Sequence, residues 1–290
     1  MKTEWMGIGK ERVGQYVLWG LAGAIAVFLG LFAWSIVGGE VRGGVADGDS
    51  SQDFSGCNVV GITVHGCVMT YAPAADEGTS GVPEGCDAMT VSEDVMLTLQ
   101  EVSTHKNVKA VLLDIDSMGG APQGAVEIEQ AVQASGLPSV AWIRGYGDSA
   151  AYWIASAADT IIASEESDIG SIGVTSSYTD NSRQNATEGI TYNSISTGKY
   201  KDMGSPDKPL TAEERTVIEK GLRITLDHFI ETIATNRELS VEKVRALADG
   251  SSWLGKEALS LGLIDELGTY PEVMDTLKEI TKDEPVICWQ

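Results

Sequence analysis

Residues Tyr16 to Val37, YVLWGLAGAIAVFLGLFAWSIV, carry no charge. At 1.5 Å per residue these ~22 residues reach roughly 33 Å, enough to cross the hydrocarbon core of a bilayer. Trp19 and Trp34 lie near the two ends, where interfacial aromatics are favoured. A cleaved signal peptide is the alternative. Its apolar region usually runs about 7–15 residues and ends at a small-x-small site. The run here is longer, and Gly38-Gly39-Glu40 is a weak cleavage site. The sequence thus predicts one uncleaved transmembrane helix over 16–37. Lys2, Lys10 and Arg12 precede it, whereas only Arg42 follows closely, among Glu40, Asp47, Asp49 and Asp53. The positive-inside rule then puts residues 1–15 in the cytoplasm and the rest outside, as a single-pass protein of the cell membrane.

The 290 residues carry 20 Lys and Arg against 42 Asp and Glu, a formal net charge of -22. A general nucleic-acid binder is excluded, because phosphate affinity needs a basic surface. A 43% hydrophobic content suffices for a core. Residues 38–56, rich in Gly, Ser and Asp, read as a flexible linker, and 57–290 as one domain. Cys57, Cys67, Cys86 and Cys288 match no zinc spacing and form no Cys-x-x-Cys pair. Outside the cytoplasm a bridge can persist. Cys67 with Cys86 would staple the Gly- and Pro-rich stretch between them. Cys57 with Cys67 is the rival, and free thiols are a third possibility. Asn185-Ala186-Thr187 matches a glycosylation sequon, a common chance triplet.

From residue 57 strands and helices alternate. Asn58–Val64 is a β-branched run, and Thr90 with Glu93 reads as a capping box opening a helix to about Lys106. Val108–Ile115 is almost wholly apolar, as a strand covered on both faces should be. Gly119-Gly120 then turns into a helix to about Ala134. Ser139–Ile143 is the next strand, followed by a Gly-rich turn, a helix, and a strand over 160–163. Ile190–Ile195 reads as a short strand. Thr211 and Glu214 form another capping box, opening a helix to about Asn236 whose Val217, Ile218, Leu222, Leu226, Phe229, Ile230 and Ile233 predict one buried stripe. Short helices follow near 240–248, 255–261 and 270–281. Such alternation argues for an α/β domain with much parallel pairing.

Two Gly-rich stretches could carry chemistry. Asp116-Ser117-Met118-Gly119-Gly120 lacks the spacing of a dinucleotide or phosphate loop. What remains is an ordinary turn, or amides that stabilise an oxyanion. In Gly145-Tyr146-Gly147-Asp148-Ser149-Ala150-Ala151, Ser149 stands where a helix starts. It is either an N-cap or a nucleophile favoured by the helix dipole. A nucleophile needs a base. His65, His105 and His228 lack any motif that would fix an imidazole. Lys199 and Lys201 lie in Gly198-Lys199-Tyr200-Lys201-Asp202-Met203-Gly204-Ser205-Pro206, but a lysine serves only when neutral, several units below its usual pKa.

The ordered motifs DSMGG, GYGDSAAYWIASAAD, GSIGV, STGKYKDMGSP and GKEALSLGLIDELG resemble the signal peptide peptidase family over about 57–282. The resemblance implies a membrane-anchored serine protease with a Ser-Lys dyad. It implies a Clp-protease/crotonase-like α/β domain of repeated strand-strand-helix units behind one transmembrane helix. By this likeness Ser149 is the nucleophile, Lys201 the general base with Lys199 its near rival, and Ser171 the serine that orients the lysine. Gly120, beside Gly119, is the oxyanion-hole glycine, with the amide of Ser149 as second donor. Peptides are the implied substrates, cleaved signal peptides among them, and the implied partner is a second copy of the chain in a ring or dome with shared active sites. No metal, nucleotide or organic cofactor is implied. Met118 stands where the family has Pro, Ala150-Ala151 where it commonly has Gly-Gly, and Asp148 where it has a small residue. A carboxylate there would raise a nearby lysine's pKa unless it points away. An inactive membrane-anchored scaffold of the same fold is the alternative, and acyl-CoA chemistry on the same fold is a remoter one.

Overall fold

The computed structural model describes residues 54–72, 86 and 88–290, which belong to one compact unit, Asp53–Gln290. In chain order its elements are β1 (Val59–Met69), β2 (Met89–Val91), α1 (Ser92–Val102), β3 (Ala110–Gly120), α2 (Pro122–Ser135), β4 (Ser139–Asp148), α3 (Ala150–Ser156), β5 (Thr160–Ala163) and β6 (Asp168–Gly170). Then come α4 (Ser182–Thr187), α5 (Ala212–Asn236), α6 (Val241–Leu247), β7 (Ser252–Leu254), α7 (Gly255–Leu261), β8 (Glu266–Leu267), α8 (Tyr270–Thr281) and β9 (Ile287–Trp289).

The sheet runs β2-β1-β3-β4-β5-β8, every neighbouring pair parallel. β6 adds alongside the far end of β4, β7 pairs β6 antiparallel, and β9 joins β1. The apolar strands alternate between two cores. Val111, Leu113 and Ile115 face the main core with α2 and α3, while Ala110 and Leu112 face Val273 and Leu277 of α8. Both faces are covered, which is why the segment reads as a continuous apolar run. The mostly parallel α/β architecture agrees with the alternation of elements in the sequence.

Several expectations are corrected. Thr90 caps no helix. It lies in β2, where its hydroxyl donates to the His65 carbonyl and accepts from the His65 N–H. The Gly-rich stretches read as turns are strand ends instead: β3 runs through Gly120 and β4 through Asp148, because β1 and β6 supply main-chain partners there. Residues 190–195 form no strand. The Thr211–Glu214 capping box is present, yet only Phe229, Ile230 and Ile233 of the expected α5 stripe are buried. Among the described residues, little packs against the N-terminal half of that helix.

All four cysteines are bridged, Cys67 to Cys86 and Cys57 to Cys288. The first is one of the expected pairings. The second replaces both the Cys57–Cys67 rival and the free thiols, and it arises because β9 returns to the start of β1. The transmembrane helix over 16–37 and the cytoplasmic segment 1–15 lie outside the described residues. Among the described residues no helix is long and apolar enough to cross a membrane. The linker expected over 38–56 also lies outside them, except for Phe54–Gly56, a 3-10 turn whose Phe54 is buried in the core.

Candidate functional site

The end of β3 lies against the start of α3. Gly119 has φ of 103°, and a Cβ there would sit 2.9 Å from both the Ser149 Cβ and the Ala150 nitrogen. Gly120 follows with φ of 156°, where a Cβ would stand 2.2 Å from the Val68 carbonyl oxygen. Only glycine fits this backbone approach. Opposite stands Ser149, with φ 52° and ψ -119°. A serine held in this region costs about 1–3 kcal/mol, which the surrounding structure must over-determine. Here β4 holds one side and α3 the other. Every residue of α3 is buried, Trp153 stacks on Phe229 at 4.4 Å, and the Tyr152 hydroxyl donates to the Leu263 carbonyl at 2.8 Å.

Ser171 is a second non-glycine residue with positive φ, at 47°. Its N–H donates to the Ser251 carbonyl at 2.9 Å and its hydroxyl to the Gly250 carbonyl at 3.3 Å. Gly120, Ser149 and Ser171 together line one pocket of about 500 Å³. A larger cavity of about 920 Å³ involves Ser139, Asp159, Arg237 and Asp265. Ser139 pairs there with Asp159 and Arg237 Nη2 with Asp265, the Arg237 Nε has no partner among the described residues, and the cavity holds no strained serine. The chemistry therefore points to the smaller pocket.

The structure thus brings together Ser149, Ser171 and Gly120, with Gly119 directly behind. Lys201 is not among them. It is exposed, and it lies in a stretch, 173–213, in which no residue is buried. Lys199 is tied to Glu213 at 2.5 Å, and that hydrogen bond, with the charge of Glu213, raises its pKa. Lys208 meets Glu214 at 2.5 Å. Lys201 has no ion-pair partner among the described residues. None of the three histidines lines the pocket. His65 lies 3.5 Å from Asp114, and His105 and His228 pack edge-on against Phe54 and Trp153.

The expected second oxyanion donor needs correcting. The N–H of Ser149 donates to the Gly170 carbonyl at 2.8 Å, and that of Gly119 to the Ser117 hydroxyl at 3.0 Å. Strand N–H groups alternate between edges. Ala121 donates to Val68 on the β1 side, so the Gly120 N–H faces the β4 side, toward Ser149. The first amide of α3, on Ala150, lies at the same place and is one of the helix's free donors.

Asp148 is buried and does not line the pocket. Its Oδ1 has no hydrogen-bond partner among the described residues. Burial, and then the charge of Asp168, push its carboxyl up to about 6. No sequence motif marks the far wall of the pocket, Leu226 and Ala248 to Gly250. The turn signal at Asp249-Gly250 is its only trace.

A profile described as peptidase family S49 matches residues 131–283. Protease 4 of Haemophilus influenzae is 28% identical over 207 residues, which cover 70% of this chain and 34% of that one. A serine protease of Arabidopsis thaliana chloroplasts is 30% identical over 192 residues, covering 65% and 28%. A relative from Methanocaldococcus jannaschii is 33% identical over 184 residues, covering 63% and 59%. The chain thus spans less than two thirds of each of these relatives. Among solved structures, a mutant of the 1510-N membrane-bound stomatin-specific protease, in complex with a substrate peptide, has a TM-score of 0.52 at 14% identity, covering 81% of this chain and 92% of that one. That likeness concerns the fold alone.

Proposed function

The chain belongs to peptidase family S49, the family of the signal peptide peptidases, and from that premise we propose that it is a membrane-anchored serine endopeptidase with Ser149 as nucleophile and Lys201 as general base. The observation that carries the reading is the strained Ser149 at the mouth of a wholly buried helix, with the backbone of Gly119 and Gly120 against it. A nucleophile gains there from exposed amides and the helix dipole. The exposed Lys201, without a carboxylate partner among the described residues, fits a base supplied by a second copy of the chain. The thinly covered 173–213 stretch and the bare half of α5 also favour a homo-oligomer. The repeated strand-strand-helix, Clp-protease/crotonase-like architecture belongs to the same reading.

In the proposed reaction neutral Lys201 takes the Ser149 proton as Oγ attacks the peptide carbonyl. The amides of Gly120 and Ala150 receive the oxyanion. The C–N bond breaks as the lysine passes its proton to the leaving amine. Water then attacks the acyl-enzyme and gives its proton to the same lysine, and as the ester C–O bond breaks the lysine returns that proton to Ser149 Oγ. Ser171 orients the amine. Burial between subunits would keep that lysine uncharged. The anchor over 16–37 would put this chemistry outside the cytoplasm, on cleaved signal peptides and other short or unfolded peptides.

The test uses the full chain, its Ser149→Ala and Lys201→Ala variants, a fluorogenic peptide and a fluorophosphonate probe. Wild type should turn over and label at Ser149, and both variants should lose turnover. Equal turnover in all three would defeat the dyad, and an unlabelled wild type would favour an inactive scaffold.

A further inference from the structure

The pocket beside Ser149 is chemically lopsided. Val174, Leu226, Ala248 and Pro122 supply apolar surface. Among the described residues that line it, Asp249 alone is ionisable. Its Oδ1 accepts from the Ser251 N–H at 2.9 Å and from the Ser251 hydroxyl at 2.5 Å. No Lys or Arg among the described residues neutralises it, and its partners are Ser251 and its own backbone N–H.

The carboxylate is also fixed relative to the reacting serine. The same turn receives Ser171 at two points, the N–H on the Ser251 carbonyl and the hydroxyl on the Gly250 carbonyl. Gly170, the residue before Ser171, accepts the Ser149 N–H. A chain of backbone bonds therefore connects Asp249 to Ser149. The two bonds from Ser251, the side-chain one first, lower the Asp249 pKa and keep it charged.

We propose that this pocket is a substrate subsite that takes a lysine or arginine side chain, with Asp249 as the residue that determines the preference. The aliphatic stem lies along Val174 and Leu226, and the cationic head meets the Asp249 carboxylate, which no other cation among the described residues neutralises. A bare metal ion would find one carboxylate and a few neutral hydroxyls, which is a poor ligand set. The inference rests on the reading of Ser149 as nucleophile and deepens it.

The test measures kcat/KM of the full chain on fluorogenic peptides that differ at one residue. Lys, Arg, Leu and Glu are placed in turn at each of four positions before the scissile bond. Wild type should favour Lys or Arg over Leu about tenfold at one position, a factor in the range of a single charged contact. Asp249→Asn should abolish that ratio, with kcat/KM for the Lys and Arg peptides falling about tenfold relative to that for the Leu peptide. Asp249→Lys should shift the preference toward Glu. Absence of any basic preference in wild type overturns the proposal. So does a uniform loss across all peptides in Asp249→Asn, which would assign Asp249 to the base lysine of a second copy instead. Lack of both turnover and fluorophosphonate labelling in wild type overturns the nucleophile reading along with it, whereas labelling with normal Leu turnover but no basic preference overturns the subsite alone.

Discussion

The backbone N–H of Ser149 donates to the carbonyl of Gly170, the residue before Ser171, at 2.8 Å. One main-chain bond just past the end of β4, made to β6, therefore sets the spacing of the two serines. It also occupies the Ser149 amide, so in the proposed reaction the oxyanion would fall to Gly120 and Ala150. Gly120→Ala should then be severe. Its Cβ would stand 2.2 Å from the Val68 oxygen and 2.5 Å from the Val68 nitrogen, so β3 must move away from β1. Loss of one oxyanion donor costs about 10²–10³ in kcat. We expect a loss of that size on a fluorogenic peptide. Circular dichroism should report a retained fold, because the change lies at the strand end. Near wild-type kcat would remove Gly120 from the site.

If Lys201 acts on a second copy, two dead variants should rescue each other. Ser149→Ala keeps the base and Lys201→Ala keeps the nucleophile. Mixed subunits would contain some intact pockets, so turnover should return to a sizeable fraction of wild type when the two are dissociated and reassembled together. Continued inactivity of a mixture shown to co-assemble would argue that each chain supplies its own base.

Asp148 makes stability depend on pH in the direction opposite to most carboxylates. Its pKa rises from 3.8 to about 6 in the fold, through burial first and the charge of Asp168 second. Between those values the folded chain holds a proton that the unfolded chain has released, so stability falls as pH rises. The contribution is fully present below about pH 4 and gone once pH passes about 6. Asp148→Ala should flatten this slope and stabilise the domain at pH 8 by ~1–2 kcal/mol after allowance for solvent screening. Urea unfolding at pH 4.5 and pH 8 measures it. A variant with the wild-type slope would show that Asp148 is not its source.

The two bridges should contribute unequally. Cys57 and Cys288 are 231 residues apart, Cys67 and Cys86 only 19. On loop-closure entropy the first contributes about 5 kcal/mol and the second about 3 kcal/mol. Replacing both cysteines of a pair by serine should lower stability more for Cys57 and Cys288, as read by urea midpoint. The reverse order would mean that β9 holds β1 through packing and main-chain bonds alone.

Local sequence determined a good deal here. The strands Val111 to Ile115 and Val140 to Ile143 follow from their apolar runs, since a segment buried on both faces must be apolar throughout. The Thr211–Glu214 box sets the start of α5 because its bonds span only three residues. The family motifs picked out Gly120, Ser149 and Ser171, which the fold brings to one pocket. Tertiary structure decided the rest. Whether Gly145 to Asp148 is turn or strand depends on β6, some twenty residues downstream. The Cys57–Cys288 pairing depends on where β9 returns. Which amides stay free beside Ser149 depends on the partners β4 and β3 acquire. Asp249 reaches the pocket through a turn far beyond the serine in the chain. Backbone donors and acceptors are the same in nearly every residue, so what each one pairs with is set by long-range register and not by the residues' own identities.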